Sequence, residues 1–209
     1  GVTNGKAEAN SKPKQTYAEP NEAALAYGMG TPDAEWWYTD LDGRRVGKTL
    51  RWNKGGRKEI RPIARIGNRW QLVGMPTPRP LYRLSEIDGL HVYIGEGERV
   101  ADVLEEVGFV GTTSSGGCNS VHQTDWTPCR SRNCYIFPDN DDPGRDYAEA
   151  LANILHGLGC HVFVIELPDL PEGGGDLVDY VKRLRAEGKT ENEISDDIEG
   201  RTTDVLEWK

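Results

Sequence analysis

The sequence predicts an α/β protein: a mostly parallel sheet with flanking helices, preceded by a small β-rich module. Three observations carry this. From His91 onward, strand-like and helix-like runs alternate, which implies a parallel sheet with covering helices. Between residues 34 and 82 the runs are short, aromatic and β-prone, and Asp42-Gly43 is a strong hairpin signal. Charge divides along similar lines. Residues 43–69 hold ten basic side chains against the single acid Glu59, a local charge of +9, so the net charge of -9 leaves -18 on the rest.

The chain has 209 residues, room for one full domain and a small second module. It contains no apolar run near the roughly 20 residues that cross a bilayer and no charged-then-apolar leader, so a cytoplasmic protein with no membrane partner is expected. Cys118, Cys129, Cys134 and Cys160 are expected as free thiols in such a setting. The first residue is Gly1, not Met, which suits a piece of a longer polypeptide.

In chain order, residues 1–20 are polar and read as a flexible linker. Residues 21–28 suit a short helix or turn. The basic β-rich module follows, to residue 82. Its strands are expected at 35–39, around 50–52, at 60–66 and at 70–73, and the Pro-rich stretch 76–80 closes it. Trp36, Trp37, Trp52 and Trp70 lie here. Most are expected in a small core, which needs large side chains to bury enough area; some could serve as base-stacking platforms. The basic residues Arg44, Arg45, Lys48, Arg51, Lys54, Arg57 and Lys58 suggest a polyanion contact, with a solvated face as the plain alternative.

Residues 83–190 form the expected α/β domain, and 191–209 a C-terminal extension. Strands are predicted at 91–95, 109–113, 134–138 and 160–167. Helices are predicted at 98–107, where Val100, Val103, Leu104 and Val107 share one face, at 143–157 with Pro143 in its first turn, and at 176–185.

The acids with chemical promise sit at strand ends. Glu96 follows the strand 91–95, and Asp139 and Asp141 follow the strand 134–138. Parallel sheets place ligands beyond the carboxyl ends of their strands. The i, i+2 spacing of Asp139 and Asp141 points both carboxylates one way along an extended backbone. Three acids converging there repel unless a cation neutralises them, and an oxygen-only donor set suits Mg²⁺. Gly97 and Gly144 permit tight turns beside the acids. The alternative is that residues 139–142 only cap the helix that Pro143 opens and favour its dipole, which is the expected state of Asp142.

Three stretches in order, Val92-Tyr93-Ile94-Gly95-Glu96-Gly97-Glu98-Arg99, Gly111-Thr112-Thr113-Ser114-Ser115-Gly116-Gly117 and Ile136-Phe137-Pro138-Asp139-Asn140-Asp141-Asp142-Pro143-Gly144-Arg145, resemble the Toprim domain. The resemblance is nearest to primase-like proteins of phages, plasmids and integrated mobile elements. It covers about residues 80–185 firmly and 34–79 loosely. It implies a Rossmann-like sheet whose Glu96, Asp139 and Asp141 hold catalytic Mg²⁺, or Mn²⁺ in its place, with Asp176 as a further acidic ligand. It also implies a DNA primase-type nucleotidyltransferase in DNA replication. Single-stranded DNA would be the template, nucleoside triphosphates the substrates and a replicative helicase the partner. Gly97, Arg99, Gly144 and Arg145 would adjoin the nucleotide. Val100 stands where that subgroup often has an acid. A Toprim metal-dependent nuclease and a non-catalytic nucleic-acid-binding module are the competing readings.

Two other motifs fail on spacing. Gly43 to Thr49 imitates a P-loop but is one residue short and follows a hairpin turn. Asp139-x-Asp141 imitates a calcium loop, but Ala150 stands where the bidentate Glu belongs. Cys118, His122, Cys129 and Cys134 match no common zinc spacing.

Overall fold

The computed structural model describes residues 15–171 and 173–209. Most of the expected linker therefore lies outside the described residues. The part inside is not linker. Thr16–Tyr17 is a strand (β1) and Pro20–Leu25 a helix (α1), whose Glu19 and Glu22 form a reciprocal capping box.

The β-rich module is a five-stranded antiparallel sheet. Besides β1 it contains β2 (Ala34–Thr39), β3 (Arg45–Lys54), β4 (Arg57–Ile66) and β5 (Arg69–Gln71), in the order β1-β5-β4-β3-β2. The β3–β4 hairpin turns on Gly55 and Gly56, with φ of 56° and 78°. A two-residue turn that matches strand twist needs this left-handed pair, and glycine adopts it freely.

Alternation gives the sheet two buried faces. Leu50, Trp52, Ile63 and Trp70 pack under α1 against Ala23 and Ala24. Trp36, Tyr38, Ala64 and Met75 pack on the other face against Tyr82 and Ala101. Trp36, Trp52 and Trp70 are thus core residues, as so small a module requires. Trp37 is only partly buried, edge-on to Trp70.

The second sheet is parallel throughout, in the order β7-β6-β8-β9: β6 (His91–Gly95), β7 (Gly111–Thr112), β8 (Asn133–Phe137) and β9 (His161–Val164). Four helices accompany it: α2 (Glu98–Glu106), α3 (Asp142–Gly157), α4 (Leu177–Ala186) and α5 (Glu191–Thr203). Alternate strand residues face opposite layers. Val92, Ile94, Cys134, Ile136 and Val162 pack with Leu151 and Leu155 of α3. Tyr135 and Phe137 pack with α2, α4 and α5, and Tyr93 and Phe163 stack on Tyr135 at 5.1 Å each. Covering both faces is what a parallel sheet demands. The α/β prediction therefore holds, with two amendments. The edge strands β7 and β9 are shorter than expected, and the C-terminal extension contains α5. That helix buries only Ile194, Ile198 and Thr202, too weak a stripe to announce itself. No helix among the described residues is long and apolar enough to cross a membrane.

Candidate active site

The two central strands set the site. Gly95 of β6 pairs with Phe137 of β8, so the chain leaves both strands side by side and delivers Glu96 and Asp139 at the same sheet edge. Asp139 is followed at once by α3, whose N-cap is Asp141; its Oδ1 accepts the Gly144 N–H at 2.8 Å. Gly144 is required by packing. A Cβ there would lie 2.3 Å from the Asp139 carbonyl oxygen. The loop before α4 is clasped to the same place: Asn140 N–H donates to the Gly175 carbonyl at 2.8 Å, and Gly174 N–H to that of Asn140 at 3.2 Å. Asp176 then caps α4, accepting the Asp179 N–H at 3.1 Å.

Four carboxylates thus gather from three junctions, and they feel one another. Burial, then Glu96, Asp176 and Asp141, push the Asp139 carboxyl up to about 7, while Lys58 pulls it down. Burial, then Asp141, push Glu96 up as well, against hydrogen bonds from the Asp139 backbone and Cys118. Glu96 Oε2 is buried without a hydrogen-bond partner. Crowded, partly buried carboxylates with an orphaned oxygen repel one another and favour a nearby positive charge. Among the described residues no three His, Cys, Asp or Glu side chains are gathered closely enough to hold a metal ion by themselves. The protein therefore offers an open oxygen set and no closed cage. Mg²⁺ tolerates that, because it keeps several waters and takes one or two carboxylates plus substrate phosphates. The donors fit the ion on chemistry.

Capping and site membership coincide here. Asp141 does what the helix-cap alternative requires, yet it also raises Glu96. Asp142 is exposed and pairs with Arg145, so it is helix-end charge only. Gly97 corrects an expectation: its φ is -148°, ordinary extended backbone, and a Cβ there would meet nothing, so no tight turn depends on it.

A cleft of about 580 Å³ runs between the two sheets, bounded on one side by Glu96, Asp139 and Asp176. The opposite wall is the antiparallel module, where Arg51 and Lys58 face the acids. The seven basic residues do not form one surface. Arg51 and Lys58 line the cleft; Arg44 pairs with Asp42; Arg45 lies 4.1 Å over the Trp37 ring. Lys54 and Arg57 are exposed beside the β3–β4 turn. Lys48 is corrected. Its side chain is 0% exposed, paired with Glu35 at 2.9 Å and set 4.8 Å over Trp37, and it points to the opposite face from Arg51. It cannot reach a polyanion in the cleft. Arg99 lines the cleft and also bonds Glu106 at 3.0 Å. Arg145 adjoins Asn140 and Asp141 from outside the cleft.

Some contributors have no local signature. Arg79 donates to the Ser115 carbonyl at 2.9 Å and to Ser120 Oγ at 2.6 Å, fixing the loop that flanks Glu96. Trp36 and Tyr38 tie the wall to α2 through Asp102 and Glu98. Cys129, Cys134 and Cys160 are buried free thiols.

No protein-family model matches the sequence, and no curated protein does. The fold does match solved structures. The catalytic core of the E. coli primase aligns with TM-score 0.54 and 20% identity, over 90% of this chain and 60% of that one. The primase fragment of the bacteriophage T7 primase-helicase protein aligns with TM-score 0.50 and 16% identity, over 80% and 61%. The zinc-binding and RNA polymerase domains of the Aquifex aeolicus primase align with TM-score 0.53 and 18% identity, over 82% and 40%. At such identities the likeness establishes a shared fold. The chain spans 40% to 61% of the length of these three.

Proposed function

We propose that this chain is a Toprim-type, primase-like nucleotidyltransferase domain. It would make short oligonucleotides on single-stranded DNA from nucleoside triphosphates, with Mg²⁺ (or Mn²⁺) as cofactor. One observation carries the reading: Glu96, Asp139 and Asp176, with Asp141 close enough to raise Glu96, face Arg51 and Lys58 across a single cleft. The fold shared with primase cores supports it.

Glu96, Asp139, Asp141 and Asp176 would hold the metal. A metal held by these residues would supply charge stabilisation as a 3′-hydroxyl attacks the α-phosphate of a nucleoside triphosphate and pyrophosphate leaves. The residues supply the remainder. Glu96, raised by burial and Asp141, would help hold the metal or assist proton transfer. Arg51 and Lys58 would take template phosphates, which makes affinity salt-dependent. Arg99 and Arg145 would approach nucleotide phosphate by exchanging their present carboxylate partners. The setting would be the cytoplasm, and the partner a replicative helicase, as the T7 protein's description as a primase-helicase suggests.

The test incubates the chain with single-stranded DNA, nucleoside triphosphates and Mg²⁺. New oligonucleotides that disappear with Asp139→Asn support the reading. Cleavage without synthesis points to a nuclease, and metal-independent binding with neither product rejects catalysis.

A further inference from the structure

The cleft wall is not uniformly basic. Along β4 the residues facing the acids are Lys58, Ile60 and Pro62; along β3 they are Thr49 and Arg51. The register pairs Arg51 with Ile60 and Thr49 with Pro62. Two apolar side chains therefore lie beside two cations on one sheet face. Ile60 is 47% exposed. A single exposed isoleucine is ordinary on a protein surface. This one sits inside a concave site, opposite the acidic set, whereas Ala64, further along the same face of β4, is fully buried. Lys58 makes no ion pair among the described residues.

From this we infer that Ile60 and Pro62 form a nucleobase platform, flanked by Arg51 and Lys58 as its phosphate contacts. Base faces are apolar, and their burial is sequence-tolerant because every base presents one. Cations beside the platform match the phosphates joined to that base. The cleft, at about 580 Å³, is in the size class of a small-ligand pocket. That volume suits a single splayed nucleotide against this wall, so the ligand class is single-stranded nucleic acid with its bases intact. The inference rests on the nucleic-acid reading above and adds the part of the substrate that this wall recognises.

The experiment measures binding by the full chain to a short oligothymidylate and to an abasic oligomer of equal length, with Mg²⁺ present. Ile60→Thr keeps a β-branched residue at an exposed strand position, so the fold should stand. The platform requires the wild type to prefer the base-bearing oligomer. It also requires Ile60→Thr to weaken that binding at least about fourfold, the equivalent of one methylene lost from contact, and to leave the abasic oligomer unchanged. Ile60→Phe should restore the preference. Lys58→Ala should weaken both oligomers and lower the salt dependence of each. Equal wild-type affinity for the two oligomers, or an equal effect of Ile60→Thr on both, overturns the platform. Base-dependent binding without synthesis leaves the platform standing and removes the polymerising activity; synthesis with base-independent binding does the reverse.

Discussion

Tyr38 donates its phenol O–H to Glu98 at 2.8 Å, across the junction between the antiparallel module and helix α2. Two residues earlier on β2, Trp36 donates its indole N–H to Asp102 at 2.6 Å, one helical turn beyond Glu98. Strand spacing of two thus meets helix spacing of four, and one face of β2 is fastened to one face of α2. Because α2 begins two residues after Glu96, this contact fixes the acidic set against the Arg51–Lys58 wall. Glu98 is 7% exposed, so Tyr38→Phe strips a donor from a buried carboxylate. The expected cost is about 1–3 kcal/mol of unfolding free energy, read by denaturant titration. Unchanged stability would mean the junction is not held by this bond.

The acidic set should weaken the metal-free fold as pH rises. Asp139 has a folded value of about 7 against an ordinary 3.8. Between those values the folded protein keeps a proton that the unfolded chain has released, so stability falls from about pH 4 to about pH 7 and stays low above. Mg²⁺ held by the folded acids, as proposed above, should recover the loss. At pH 8 the wild type is expected to melt several degrees higher with Mg²⁺ than without it. Asp139→Asn should melt higher than wild type without Mg²⁺ and respond less to its addition. A flat pH profile in the wild type would contradict the electrostatic crowding.

The sequence displayed some of this and concealed the rest, for physical reasons. Strand β6 was visible residue for residue, because Val92 and Ile94 are followed by the Gly95–Gly97 break. Glu96, Asp139 and Asp141 were visible because strand ends are local features. The Trp36–Asp102 bond joins residues 66 positions apart, and no periodicity encodes such a partner. Lys48 misled for a related reason. In a basic run it resembles its neighbours, and only the register of β2 and β3 turns it under Trp37 and beside Glu35. Ile60 looked like an ordinary strand residue until the cleft placed it opposite the acids.

Asp141 both caps α3 and adjoins Glu96, and the two duties are separable. Asparagine caps a helix about as well as aspartate, so Asp141→Asn should leave the melting temperature near wild type. It removes the charge, and oligonucleotide synthesis should fall at least about a hundredfold, the scale of losing one transition-state stabiliser. Asp141→Ala should lose activity and about 0.5–2 kcal/mol of stability together. If Asp141→Asn keeps full activity, the residue is a cap alone.

The final expectation separates two lysines that composition treats alike. Lys48 is buried on the α1 side of the sheet, and Lys58 faces the cleft. Lys48→Met removes the partner of Glu35, a carboxylate still 44% exposed, so water compensates in part. The cost should be about 1–3 kcal/mol, below the full penalty for breaking a buried pair. Its affinity for single-stranded DNA and the salt dependence of that affinity should match wild type. Lys58→Ala should do the opposite: stability within about 0.5 kcal/mol, weaker binding, and a log–log salt slope reduced by about 0.7, one phosphate contact. Stability comes from denaturant titration and the slope from binding isotherms at several salt concentrations. A changed slope for Lys48→Met, or an unchanged one for Lys58→Ala, would place the nucleic acid on the other face of the sheet.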